Sequence, residues 1–169
     1  SRVKHQEDDG SRPALALDQS TQRICRDWGQ QNADQGTLHL ELSSPQVRVV
    51  FDSDHLRRVL VNLLDNERRY ADQSSLAIQV STHSDLAPQV MLGVWSNGAP
   101  LDQSVERHLF EPFFSSESRS SGLGLFICRE LCEGHGATLR YQRCARLMNG
   151  RRVDGNEFQL IMQRVDESS

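Results

Sequence analysis

The sequence predicts a two-layer α/β sandwich, and three observations carry that prediction. The stretch "SDHLRRVLVNLLDNERRYA" sets Leu56, Val59, Leu60, Leu63 and Leu64 at helical intervals, one apolar stripe on an otherwise polar helix. Downstream, "SSLAIQVSTHS" and "PQVMLGVWSNG" alternate apolar and polar residues and close on Asn97-Gly98, as two antiparallel strands would. Helical and strand patterns then interleave over 169 residues, enough for one domain in which helices cover a sheet.

The elements follow in order. Residues 1–13, "SRVKHQEDDGSRP", have the charged, Gly/Pro-punctuated composition of an arm or linker, and the domain is expected from residue 14 to about 166. Over residues 15–32, Leu17, Ile24 and Trp28 recur at helical spacing, with Asp18 and Ser20 available as caps. "TLHLELS" alternates Leu38, Leu40 and Leu42 against polar neighbours, and "VRVVFD" follows a Ser-Ser-Pro break, giving a strand, a turn and a second strand. The leucine-striped helix comes next, with Ser53 or Asp54 as its cap, and then the two alternating strands. A short helix over "SVERHLF" leads to "FEPFFSSESRSSGLGLF", whose phenylalanines, serine run and glycines describe a loop anchored by aromatics at one end and by a helix start at the other. "GLGLFICRELC" continues as a helix that Gly134 and Gly136 can stop. "ATLRYQRC" and "NEFQLIMQRV" supply the last strands around the turn "MNGRRVDGN".

Composition excludes several classes. A net charge of -4 gives no basic field, so nucleic acid is not expected as a partner. No apolar run approaches the roughly 18 to 20 residues that cross a bilayer, and the first residues lack the apolar centre of a signal peptide. Of Cys25, Cys128, Cys132 and Cys144 only the middle two are close in sequence, which argues against a disulfide framework and for a reducing, cytosolic setting. Cys128, Cys132 and His135 could share a helix face as metal ligands, although small buried residues beside a loop histidine are the commoner meaning of that pattern. His55, His83 and His108 have no second ligand at suitable spacing and are taken as structural or exposed.

Two features point to chemistry. Asn62 and Asn66 stand four apart on the striped helix, with Arg69 beyond them, and asparagine is a poor residue for a helix interior. Either these amides satisfy neighbouring backbone groups or they serve a ligand, for which a hard amide oxygen suits magnesium and the arginine suits a triphosphate. "SGLGL" offers glycines at a helix start, where backbone N–H groups favour phosphate oxygens, although packing or capping would also explain a Gly-x-Gly.

Taken together and in this order, the segments resemble a known family. "LVNLLDNERRYA" resembles the N box, "HLFEPFFSSES" the F box and "SSGLGLFICRELCEGHGATLRY" the second glycine box of sensor histidine kinase catalytic domains. These belong to the GHKL superfamily, with gyrase, a heat-shock chaperone and a mismatch-repair ATPase. The similarity is strong from about Phe51 to Tyr141 and greatest to the pilus- and nitrogen-regulating kinases, the PilS/NtrB type, with a similarly short lid.

The resemblance implies the Bergerat fold, a mixed sheet with helices on one face and a short ATP lid, binding ATP and Mg²⁺. It implies Asn66 as the Mg²⁺ ligand, Asn62 on the same face in a catalytic position, and Arg69 and Tyr70 near the phosphates and sugar. Ser96 and Gly98 would lie in the base-binding box. Ser121, Gly122, Leu123, Gly124 and Leu125 would form the phosphate-binding helix start, with Phe110, Phe113 and Phe114 anchoring a lid over residues 115–121. In hydrolysing relatives a glutamate occupies the position of Asn62, which cannot take a proton, so kinase chemistry fits better than ATP hydrolysis.

Several positions depart from the pattern. Ser96 replaces an aspartate that accepts the adenine amine, Pro100 and Ser120 replace glycines, and Glu67 replaces a small residue, adding charge beside the phosphate site. The expected function is transfer of the γ-phosphoryl group of ATP to a histidine on a dimerisation domain outside this chain. The response regulator is the further partner and the parent a membrane-bound homodimer with this domain in the cytoplasm. The alternative, favoured by Ser96, is a non-catalytic relative that binds a nucleotide or a partner protein.

Overall fold

A computed structural model of the chain describes residues 12–32, 38–72, 74–85, 88–114 and 124–165. Its elements are β1 (Ala14–Ala16), α1 (Leu17–Gln31), β2 (Leu38–Leu42), β3 (Arg48–Val50), α2 (Ser53–Tyr70), β4 (Ile78–His83), β5 (Gln89–Ser96), α3 (Gln103–Arg107), α4 (Gly124–Gly134), β6 (Thr138–Met148) and β7 (Arg151–Gln163). Five strands form a sheet in the order β2-β4-β5-β7-β6, parallel between β2 and β4 and antiparallel elsewhere. β1 and β3 form a separate antiparallel pair.

Alternation along the strands builds the sandwich. Ile78 and Val80, Val90, Leu92 and Val94, and Phe158, Leu160 and Met162 share one core with Leu17, Ile24 and Trp28 of α1 and the leucine stripe of α2. The helices therefore lie on one face of a mixed sheet, as the sequence predicts. Trp28 Nε1 donates to Asp65 Oδ1 at 2.9 Å, fixing α1 against α2. No helix among the described residues is long and apolar enough to cross a membrane.

Four local expectations need correction. Residues 14–16 do not begin the first helix: they pair with β3, Ala14 opposite Val50, and the helix starts at Leu17. Asp18 does not cap it, because its carboxylate accepts from Ser44 N at 2.8 Å and from Thr82 Oγ1 at 2.8 Å. The cap of α2 is Asp52, one residue before the expected pair, accepting from His55 N at 3.0 Å. The last hairpin is far longer than a nine-residue turn would leave it: only Asn149 and Gly150, at φ 53° and 80°, turn the chain. Paired positive φ values favour such a two-residue hairpin turn.

The long hairpin explains a second burial pattern. Trp95 Nε1 donates to Cys144 O at 2.9 Å and Gln79 Nε2 to Leu147 O at 2.9 Å, so the outer part of β6 lies against the sheet face opposite the helices. Beneath it Glu157 is buried, paired with Arg146 at 2.6 Å and accepting from Gln159 Nε2 at 2.6 Å.

Candidate nucleotide site

The site is assembled from α2, the end of β5 and the start of α4. Leu56, Val59, Leu60, Leu63 and Leu64 bury one face of α2, which fixes the rotation of the helix and sets Asn62 and Asn66 at its half-buried edge. Asn62 Nδ2 approaches Cys128 Sγ of α4 at 3.7 Å, a weak contact that spans the two helices. Burial pushes the Cys128 thiol up to about 11, so this sulfur is a packing atom rather than a thiolate. Cys128 and Cys132 are both core residues, and His135 instead meets His55, with Nδ1 of His55 and Nε2 of His135 2.9 Å apart. That pairing of two histidines from distant segments had no signal in their spacing.

Arg69 is exposed at the last turn of α2 and Tyr70 beside it is 37% exposed. Gly98 packs closely on Tyr70: a Cβ there would lie 3.0 Å from Tyr70 Cβ and 3.2 Å from Tyr70 O, a tight contact. The loop after β5 is held by residues that the motifs did not single out. Arg143 Nη1 donates to Gly98 O at 2.7 Å, Asn156 Nδ2 donates to Ala99 O at 2.9 Å, and Tyr141 and Arg143 both donate to Asn156 Oδ1. Their side chains share the helix-covered face at the middle of the β6–β7 ladder, which only the pairing of Arg143 with Asn156 makes visible.

Ser96 and Glu67 meet between β5 and α2. Ser96 is wholly buried and its Oγ donates to Glu67 Oε1 at 2.7 Å. Glu67 is 1% exposed, and its Oε2 has no hydrogen-bond partner among the described residues. Burial drives this carboxyl well above the usual carboxylate range, against the opposing pull of the Ser96 hydroxyl, with the charge of Glu157 adding to the rise. The expectation that Glu67 adds charge beside the phosphates is thus corrected: it continues the buried stripe one turn past Leu63 and Leu64 and packs beneath Ser96. That spacing was the signal available in the sequence.

Gly124 and Leu125 open α4, and a Cβ on Gly124 would meet nothing within 4 Å. Ser121, Gly122, Leu123 and the lid residues 115–120 lie outside the described residues. Of the three phenylalanines expected to anchor the lid, Phe110 packs edge-on against Phe158 at 6.1 Å and Phe114 meets the His108 ring at 5.6 Å. Phe113 does not anchor: it is 78% exposed, at a φ of 64° that is rare for a bulky residue.

Residues 51–165 match the family described as histidine kinase-, DNA gyrase B-, and HSP90-like ATPase. The chain belongs to this family. Among curated relatives, the sensor protein kinase PilS of Pseudomonas aeruginosa is 33% identical over 134 residues, covering 76% of this chain and 25% of that protein. The chain therefore spans about a quarter of the length of that relative. Among solved structures, a mycobacterial sensor histidine kinase, MprB, superposes with a TM-score of 0.73 at 20% identity, covering 90% of this chain and 97% of that one. The histidine kinase ThkA, solved in complex with the response regulator protein TrrA, gives a TM-score of 0.68 at 20% identity and covers 92% of this chain and 42% of that one. These structures share the fold described above.

Proposed function

We propose that this chain is the catalytic ATP-binding domain of a two-component sensor histidine kinase, passing the γ-phosphoryl group of Mg-ATP to a histidine on a dimerisation domain of the same parent. The observation that carries the reading is the pair of half-buried amides, Asn62 and Asn66, on a helix whose rotation is fixed by five buried apolar side chains. The residue type fits the ligand: an amide oxygen at Asn66, half-buried at the edge of the stripe, suits Mg²⁺. Mg-ATP supplies the phosphoryl group and the charge that the metal offsets.

The protein's part is positioning. Asn66 holds the metal, Arg69 offers charge to the phosphates from the last turn of α2, and Tyr70 lies against Gly98 at the sugar side. The start of α4 at Gly124, which closes the segment that the resemblance assigns to the phosphates, offers backbone N–H groups to them. Asn62 stands where a general base would deprotonate water, and an amide cannot do so, which keeps the phosphoryl group for the histidine. By the family resemblance we take the parent to be a membrane-anchored homodimer with this domain on the cytoplasmic side, and the ThkA complex supports a response regulator as the recipient after the histidine. Incubating the domain with its parent's dimerisation helices and ATP labelled on the γ-phosphate tests the reading. Acid-labile label on the helices is the expected result, and release of free phosphate with none on the helices would overturn it.

A further inference from the structure

The two edges of the main sheet are built differently. β6, at one end of the strand order, carries Arg140, Arg143 and Arg146, and charged side chains protect an unpaired strand from pairing with another chain. β2, at the other end, has no Lys, Arg or Pro, and its ladder with β4 runs without a bulge from Leu38 opposite Ile78 to Leu42 opposite Thr82. No strand among the described residues pairs with its outer edge.

The surface beside that edge is apolar and concave. Leu38, Leu40 and Leu42 are each only half-buried, although Leu38 and Leu40 pack against the core. Both line a groove of about 450 Å³, whose other wall includes Cys25, Arg26 and Gly29 of α1. Glycine is a costly residue inside a helix, and at Gly29 it removes a side chain from that wall.

We propose that this edge docks a second copy of the chain, β2 pairing antiparallel with β2 of the other copy about a two-fold axis through Leu40. The strand is complementary to itself in that register: Leu40 meets Leu40, Leu38 meets Leu42, and His39 of each copy stands opposite Glu41 of the other. Directly opposed residues project from the same face of a sheet, so the leucine row continues across the axis on the side of the two α1 helices, and each copy covers the groove of the other. A slip of one residue would set Leu40 against Glu41, and a slip of two would set Glu41 against Glu41 or His39 against His39, so the pattern of the strand selects one register. The contact is separate from the dimerisation domain assigned to the parent, and it uses no residue of the candidate nucleotide site.

Sedimentation velocity of the chain over concentrations from about 5 to 500 μM tests the docking, with a reversible equilibrium between monomer and dimer as the expected result. Glu41→Lys, at an exposed position that leaves the core intact, removes the acceptor opposite His39 and puts a cation in its place; it should weaken the dimer at least about fivefold. His39→Glu/Glu41→Lys exchanges the two members of the pair and should restore it. A native chain that stays monomeric throughout would overturn the inference and needs no variant to be folded. A dimer that Glu41→Lys does not weaken, or that the exchange does not restore, would place the contact on another surface and overturn it as well.

Discussion

Replacing Gly155 with alanine should damage the fold more than any surface substitution, and the structure sets the size of the effect. A Cβ at this position would lie 2.1 Å from Ser96 O and 2.5 Å from Trp95 Cε2. The oxygen is backbone, inside a β5–β7 ladder whose last pair is Ser96 with Asn156, and Trp95 is buried with its indole N–H bound to Cys144 O. Neither can rotate away, so relief requires the strands to separate locally by roughly 1 Å in an interior packed to crystal density. Overpacking of this kind costs about 1 to 3 kcal/mol, and loss of the terminal ladder bond adds about 1 kcal/mol, for an expected loss of about 2 to 4 kcal/mol. Urea unfolding followed by circular dichroism measures it, with Gly134→Ala as control, since a Cβ there meets nothing within 4 Å. Unfolding midpoints for Gly155→Ala and Gly134→Ala that match each other would refute the reasoning.

Three further outcomes follow from the same geometry. Leu63→Ala removes a wholly buried side chain from the stripe of α2 and should cost about 2 to 5 kcal/mol of stability in thermal or urea melts; an unchanged melt would contradict its place in the core. Arg146→Ala strands the buried Glu157 and should cost about 3 to 5 kcal/mol, most of it regained in Arg146→Ala/Glu157→Gln, whereas equal losses in the single and double variants would show that the pair is not what matters. His135 has its pKa lowered below 6.5, first by burial and then by His55, with Asp52 acting the other way. The unfolded chain thus binds the proton more readily, the His135 contribution is fully present above about pH 6.5, and it is lost as pH falls. Melting temperature should fall more between about pH 7.5 and 5.5 in the native chain than in His135→Asn, and parallel profiles would contradict this.

The sequence shows the parts of this protein that rest on periodicity and hides those that rest on contact. The leucine stripe of α2 and the alternation of β4 and β5 are properties of local runs, and each stands where it was expected. β1 is three residues long and exists because β3 pairs with it, a partner more than thirty residues away that no local pattern names. Gln79, Ser81, Glu157 and Gln159 look like a solvent face in the sequence, yet all are buried, because the β6–β7 hairpin reaches over them. In the site, Asn62 and Asn66 were legible because two amides on an apolar helix conflict with propensity. Arg143 and Asn156 were not, since their role depends on pairing across a hairpin whose length the polar run around Asn149 concealed. Glu67 lay between these cases: its spacing marked it as buried, but only the contact with Ser96 shows what it faces.

The central claim, that α2 presents a metal-dependent nucleotide site, is tested most directly by calorimetric titration of ATP against the native chain and Asn66→Ala, each with and without Mg²⁺. The account predicts Mg²⁺-dependent binding by the native chain and its loss in Asn66→Ala, with an unchanged melting temperature because the amide lies at the edge of the buried stripe rather than within it. Equal Mg-ATP binding by the two proteins, or none by the native chain, would contradict it.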